Sequence, residues 1–260
     1  MSALPRIYIG TPTPNGFVAA EHASSLAAML STLHDAGIPT IYRNVDGPDL
    51  ATQRDMLAAD FLAGDFTHLL LVDGEMAFAP GLCLTLLGYG KPVIGAAYAV
   101  RSPDLVRLEG HAKSHPFEAA RALSYEWNVG LIDGTITVEN GIGRVAALGP
   151  GFLLIARSAL AQVAADGATP TYLSPNSRDL LPALFRDLTL GSAVWSHDHV
   201  FCRRWRALGG ETWVYPKAEV RRITEMRFGM PYRRFLEATL ATAAPAGHEP
   251  RPALAPASGT

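Results

Sequence analysis

Asp73 and Glu75, separated only by Gly74, are the residues of this chain best placed by type and spacing to do chemistry. They close the run His68-Leu69-Leu70-Leu71-Val72, whose aliphatic residues do not alternate with polar ones. Such a run suits a central strand buried on both faces, and ligands in open α/β sheets gather at the carboxyl ends of strands. Two hard oxygen donors there suit a divalent cation carrying a phosphorylated substrate, with Gly74 letting both carboxylates face one ion. A solvated polar turn is the equally available plain reading of the same triplet. Asp198, in Ser196-His197-Asp198-His199, is the second candidate. It is either a general base for an attacking hydroxyl or a carboxylate complementing the dipole of a helix capped by Ser196. His197 and His199 are two apart, do not share a helix face, and make a poor joint metal site. Arg54, in Gln53-Arg54-Asp55, either meets a base or phosphate or makes a surface salt bridge.

The elements that must position these residues read as alternating strands and helices. A strand over 6–10 runs into the loop Thr11-Pro12-Thr13-Pro14-Asn15-Gly16. A helix from about Glu21 places Leu26, Leu30 and Leu33 at helical spacing and stops at Gly37. A strand over 38–42 follows, then a helix with Leu50, Leu57, Phe61 and Leu62 on one face, ending at Gly64. With the strand before Asp73 this makes two strand–helix–strand units, and hence a parallel sheet. Pro80 then suits the first position of a helix running to about Leu87, and 92–97 returns as a strand. Residues 102–128 and 167–192 show no clear period and read as loop. Asp133-Gly134 and Asn140-Gly141 signal tight antiparallel turns. Two apolar runs flank a bend at Gly149-Pro150-Gly151, 158–165 is helical, the Ser196 helix ends at Gly209-Gly210, and 212–215 is a strand. The tail 244–260 has the composition of a disordered segment.

Composition bounds the rest. With 260 residues, 48% hydrophobic and 18% charged, one core of good size is expected, and a net charge of −2 is no footprint for nucleic acid. Cys83 and Cys202 are far apart in sequence and read as small buried residues, without a disulfide or thiolate-metal spacing. Trp195, Trp205 and Trp213 read as core or wall. The start of the chain lacks a signal-peptide pattern, and the greasiest stretch, near Val145 to Ala156, is broken by the glycine-proline bend and too short to span a bilayer. A cytoplasmic protein without a transmembrane segment is the expectation.

Taken in order, six segments resemble the GT-A class of glycosyltransferases, in particular family-two-like bacterial and phage proteins. These are Ile9-Gly10-Thr11-Pro12-Thr13, Gln53-Arg54-Asp55, His68 to Glu75, Lys91-Pro92-Val93-Ile94-Gly95, Gly149 to Ile155, and Ser196 to Arg204. The resemblance runs from Arg6 to about Leu236. It implies a single Rossmann-like α/β domain over 1–243, with a mostly parallel central sheet flanked by helices and a small antiparallel element. Residues 6–100 would bind the nucleotide and 101–243 the acceptor. The implied activity is hexosyl transfer, EC 2.4, from a UDP- or GDP-sugar to a hydroxyl on a glycan, protein or small molecule. Asp198 is then the base of an inverting reaction. Thr11, Pro12, Arg54, Asp73, Gly74, Glu75 and Arg222 lie toward the donor; Gly149, Gly151 and Phe152 lie toward the acceptor. Asp73 and Glu75 would hold Mn²⁺ or Mg²⁺.

Three departures from the family pattern bear on that activity. Glu75 replaces the second aspartate of the D-x-D motif. His197 replaces an acidic residue, which removes a like charge beside Asp198. Arg222 stands where many relatives place a metal-binding histidine, so it could neutralise a diphosphate directly and the metal could be dispensable. A catalytically decayed nucleotide-sugar-binding or scaffold relative is therefore a second expectation, and nucleotidyl transfer a third.

Overall fold

The computed structural model describes residues 4–190 and 193–224, with side chains described throughout except at 188–195. The fold belongs to the unit Met1–Ile223; the second unit, Thr224–Thr260, is described only at its first residue, so the expected tail and the expected end of the domain at 243 lie outside the described residues. The first half runs β1 (Ile7–Pro12), α1 (Ala20–Asp35), β2 (Thr40–Val45), α2 (Leu50–Ala63), β3 (His68–Val72), β4 (Met76–Phe78), α3 (Leu82–Gly88) and β5 (Val93–Ala96). Two short helices, α4 (Leu105–Ala112) and α5 (Phe117–Leu123), precede β6 (Val129–Gly130), β7 (Val138–Glu139), β8 (Ile142–Val145), β9 (Ala147–Leu148) and β10 (Phe152–Ala156). The last part is α6 (Arg157–Ala165), β11 (Thr171–Leu173), β12 (Leu180–Pro182), β13 (Leu188–Leu190), β14 (Ala193–Trp195), α7 (Val200–Ala207), β15 (Thr212–Tyr215) and β16 (Val220–Arg222).

The central sheet has eight strands in the order β2-β1-β3-β10-β5-β15-β8-β7. Parallel pairing joins β1 to β2 and β3, and β15 to β5, while β10 runs antiparallel between β3 and β5. The fold is α/β, and six of the eight strands run in one direction, as the alternation of elements implies, with β10 and β8 reversed and β7 antiparallel to β8. The run before Asp73 shows why it lacks alternation. Leu69 and Leu71 enter one core layer with Leu57, Phe61, Leu160 and Phe201, while Leu70 and Val72 enter the other with Met29, Leu33 and Leu86. All four are closed to solvent, so each face of β3 carries its own hydrophobic layer.

Gly95 fits this packing for a steric reason. A Cβ there would lie 2.4 Å from the Phe152 carbonyl oxygen of the neighbouring strand, so only glycine lets β5 approach β10. Arg157 ties down the C-terminal end of α2 and the chain just beyond it: its guanidinium donates to the carbonyls of Phe61 and Leu62 in the last turn and of Gly64 and Phe66 after it.

Several boundaries differ from the sequence expectations. Residues 102–128 are not loop throughout: Asp104 caps α4 by accepting from the amides of Val106 and Arg107, and Pro116 starts α5. These helices bury only Ala120 between them, and α4 leaves Leu105 and Val106 exposed. Residues 167–192 contain the hairpin β11–β12 and part of β13–β14. α3 begins at Leu82 rather than at Pro80, because the short strand β4 pairs with β16 and delays the helix. Ser196 does not cap α7. Its carbonyl accepts from the His199 amide in a turn, and α7 starts only at Val200. Both glycine turns form as expected, with Asp133 and Asn140 at φ of 50° and 52°. Cys83 and Cys202 are free and buried. Among the described residues no helix is long and apolar enough to cross a membrane.

Candidate functional site

β1, β3 and β5 share one direction, so their carboxyl ends meet at one edge of the sheet. β3 delivers Asp73 there, into a tight turn in which the Met76 amide donates to the Asp73 carbonyl. Gly74 sits against the neighbouring loop, where a Cβ would come within 3.0 Å of Val18. The turn is tied on two further sides. The Asp73 amide donates to the Gly151 carbonyl, and the Ile223 amide donates to the Glu75 carbonyl as β16 leaves β4.

Arg54 is the centre of the arrangement. It projects from α2, whose first turn is fixed by Asp49 accepting from the amide and hydroxyl of Thr52. Its side chain is 1% exposed, which removes the surface salt bridge of the sequence reading. Nη2 donates to both oxygens of Asp73 at 2.9 Å, and Nη1 donates to Oδ1 of Asp198 at 3.1 Å. Burial opposes the charge, but the carboxylates of Asp73 and Asp198 outweigh it and hold the guanidinium above its ordinary pKa.

Asp198 lies in the turn before α7, not in the first helical turn, so the helix-dipole reading no longer accounts for it. Its side chain is 38% exposed, and among the described residues Oδ1 meets Arg54 Nη1 at 3.1 Å and His197 Nε2 at 3.4 Å. Among the described residues, Oδ2 takes part in neither of these contacts. Glu75 is held by Arg222, Nη2 to Oε1 at 2.5 Å, and Arg222 also donates to the Val100 carbonyl at 2.7 Å.

The remaining residues singled out from sequence fall into two groups. Gly149 and Gly151 line the site through backbone: the Gly151 amide donates to the Tyr98 hydroxyl, and a Cβ on Gly151 would lie 2.4 Å from that oxygen. Phe152, Thr11 and Pro12 belong to the interior. Phe152 packs edge-to-face on Phe78 at 5.0 Å and is fully buried. Thr11 is closed to solvent as well.

Three residues of the site were missed by sequence reasoning. Tyr98, just past β5, is 4% exposed; burial and then the Asp73 charge push its phenol well above the ordinary range. Its place beyond the carboxyl end of a parallel strand was a usable signal. Asn128 ties the site together by accepting from the Tyr98 amide at 2.7 Å and donating to the Ala96 and Gly149 carbonyls. Asp55, next to Arg54, accepts from the amides of Leu184 and Phe185 and from the Tyr172 hydroxyl, each at 2.9 Å. It thereby anchors the β11–β12 segment to α2.

Burial pushes the Asp55 carboxyl up to about 7, against the pull of those hydrogen bonds and of Arg186. In the unfolded chain an aspartate titrates near ~4, so between about pH 4 and 7 the native state holds the extra proton. The stability this contributes is fully present below about pH 4 and is lost as pH rises through about 7. Asp55→Asn cannot titrate. In urea melts the wild type should lose on the order of 2–4 kcal/mol relative to this variant between pH 4 and 8. A difference that stays flat over that range would show that Asp55 holds the same charge folded and unfolded.

The donor set does not fit a resident divalent cation as it stands. Both oxygens of Asp73 face Arg54, Glu75 is taken by Arg222, and among the described residues no cluster of three or more His, Cys, Asp or Glu could hold a metal ion.

No protein-family model matches the chain, and no curated protein matches it. Solved structures to which the chain shows similarity include A197 from STIV, at 13% identity over 85% of this chain and 86% of that one, with a TM-score of 0.46. The inositol-1-phosphate CTP transferase from T. maritima matches at 10% identity over 95% and 100%, with a TM-score of 0.42. A UDP-glucose pyrophosphorylase complexed with UDP-glucose matches at 8% identity over 84% and 92%, with a TM-score of 0.41. At these scores the likenesses carry no argument about chemistry.

Proposed function

We propose that this chain is a glycosyltransferase of the GT-A type, moving a sugar from a UDP- or GDP-sugar to a hydroxyl acceptor with inversion. The observation that carries the reading is the convergence on Arg54 of Asp73 and Asp198, 125 residues apart in the chain, at the carboxyl edge of the sheet. In this reading Asp198 Oδ2 takes the proton of the acceptor hydroxyl as its oxygen attacks the anomeric carbon. The bond from that carbon to the diphosphate breaks, and the leaving group departs with the electron pair. Arg222, 29% exposed and next to Glu75, is the guanidinium placed to meet the diphosphate as it leaves. No step is routed through a cation.

A second reading has its own observation. Every carboxylate of the cluster is already paired with a guanidinium, as expected of a relative that binds a nucleotide sugar without turning it over.

A panel of UDP- and GDP-sugars, incubated with hydroxyl acceptors in Mn²⁺ and in chelator, separates the readings. Release of nucleoside diphosphate, undiminished by chelator, is the expected result. Thermal stabilisation by a donor with neither transfer nor donor hydrolysis favours the binding protein. Pyrophosphate released from a nucleoside triphosphate means nucleotidyl transfer instead.

A further inference from the structure

Arg54 and Asp55 are consecutive on α2, and consecutive residues leave a helix about 100° apart, so the two side chains reach different parts of the structure. Arg54 Nη1 donates to Asp198 Oδ1 at 3.1 Å. Asp55, closed to solvent, turns instead to the chain around β11 and β12. Its Oδ1 accepts from the amides of Leu184 and Phe185, and its Oδ2 accepts from the Tyr172 hydroxyl, all at 2.9 Å. One turn of α2 thus holds residue 198 at one point and residues 184 and 185 at another.

Two links lead from residues 184 and 185 back to the turn that carries Asp198. Phe185 stacks on Phe201 with ring centroids 5.3 Å apart, and Phe201 lies in the first turn of α7, which begins just after that turn. Asp187, two residues beyond Phe185, accepts through Oδ1 from the amide of His197, the neighbour of Asp198. Asp55 fixes the point from which both links depart. Leu184 and Phe185 are fully buried, so apolar packing already keeps them inside. What packing leaves open is where their backbone sits along α2, and two directional hydrogen bonds set that.

Resting on the transfer reading above, we infer that Asp55 is a positioning residue that sets where Asp198 stands: Arg54 grips the base, and Asp55 grips the segment that buttresses it. The tolerance is narrow, because a general base works at about 2.6–3.2 Å from its proton donor and a misplacement of ~1 Å can cost about 10²-fold. Either protonation state of Asp55 serves. The carboxylate accepts all three bonds, while the neutral acid keeps Oδ1 for the two amides and donates from Oδ2 to the Tyr172 oxygen. Asparagine reproduces the second arrangement, with Nδ2 as the donor. Alanine reproduces neither: it takes the acceptor from the Phe185 amide and leaves the Leu184 amide only the Pro182 carbonyl.

The test uses the full chain with a turned-over donor. Asp55→Ala should lower kcat about 10–100-fold with donor KM within about twofold of wild type, and Asp55→Asn should retain most of that rate. In an Asp198→Asn background, where no base is left to place, Asp55→Ala should cost less than about threefold more. Asp187→Ala, an exposed change, cuts the second link and should lower kcat about three- to tenfold with a melting temperature near wild type. A readout free of turnover is the His197 amide proton, held downfield by donating to a carboxylate; it should move upfield in Asp55→Ala as in Asp187→Ala. Wild-type kcat in a folded Asp55→Ala, a loss just as large without the base, or an unmoved His197 amide overturns the positioning role and leaves the transfer reading intact. Should Asp55→Ala not fold, wild-type kcat in Asp187→Ala overturns it equally. A wild type that releases no nucleoside diphosphate from any donor overturns both.

Discussion

Asp198→Asn should reduce turnover by about 10²–10⁴-fold, the range for losing a positioned general base, while donor affinity stays within a few-fold of wild type. The substitution is close to isosteric. The asparagine Oδ1 can still accept from Arg54 Nη1, now at 3.1 Å from the aspartate oxygen, so the geometry around Asp73 has no reason to collapse. What disappears is the capacity to take a proton at the second oxygen. Arg54 loses one of its two counter-charges, but Asp198 is more than one-third exposed, and solvent screens that loss. The folded state should therefore survive. Single-turnover rates with a saturating donor, paired with calorimetric donor binding, separate the two effects. A variant that keeps full turnover would place the base elsewhere; one that loses donor binding in proportion to rate would make Asp198 a donor ligand.

Arg54→Met should be the most destabilising single change at the site, by about 3–5 kcal/mol, the cost of leaving a buried charge without its partner. The guanidinium is 1% exposed, and Asp73, 9% exposed, receives two of its hydrogen bonds. Methionine fills much of the same volume, so the loss reports charge more than cavity. The control is the double variant Arg54→Met with Asp73→Asn. Removing the orphaned carboxylate should recover a large part of the loss, because replacing both members of a buried pair is far less costly than replacing one. Denaturant melts of the wild type, both single variants and the double variant give the coupling directly. A single variant within about 1 kcal/mol of wild type would mean that water reaches Asp73 and screens it.

The two results interlock, because one guanidinium serves both carboxylates. Asp73 is the buried partner and holds Arg54 in position; Asp198 is the half-exposed one and faces solvent. In the proposed transfer, Asp73 therefore serves mainly to hold the site and Asp198 mainly to carry its chemistry.

Much of this was legible along the chain. The non-alternating run before Asp73 announced a strand buried on both faces, and Leu69 to Val72 divide between two core layers as that pattern requires. Gly37, at φ 69°, ended its helix, and Asn140-Gly141 made its turn, because backbone conformation at such residues is a local matter. Short elements without a buried face were harder to read: α4 and α5, of 8 and 7 residues, bury only Ala120, and so few turns give a period little length in which to show. The cap of α7 was misplaced because Ser196 bonds within a turn that could not be told in advance from a helix start.

From its sequence alone, then, this protein has an α/β sheet whose strands deliver Asp73, Glu75 and the glycine bend to one edge, since hydrophobic period and turn chemistry act over a few residues. Only the tertiary structure decided what those carboxylates meet. Arg54 lies 19 residues from Asp73 and 144 from Asp198, Arg222 turns back along β16 to Glu75, and Asp55 reaches the amides of Leu184 and Phe185. Such pairings depend on how layers pack and on which charges lose their water together, and neither has a signature in local spacing. The D-x-E pair that read as a metal clamp is, in the folded chain, a pair of carboxylates each held by an arginine.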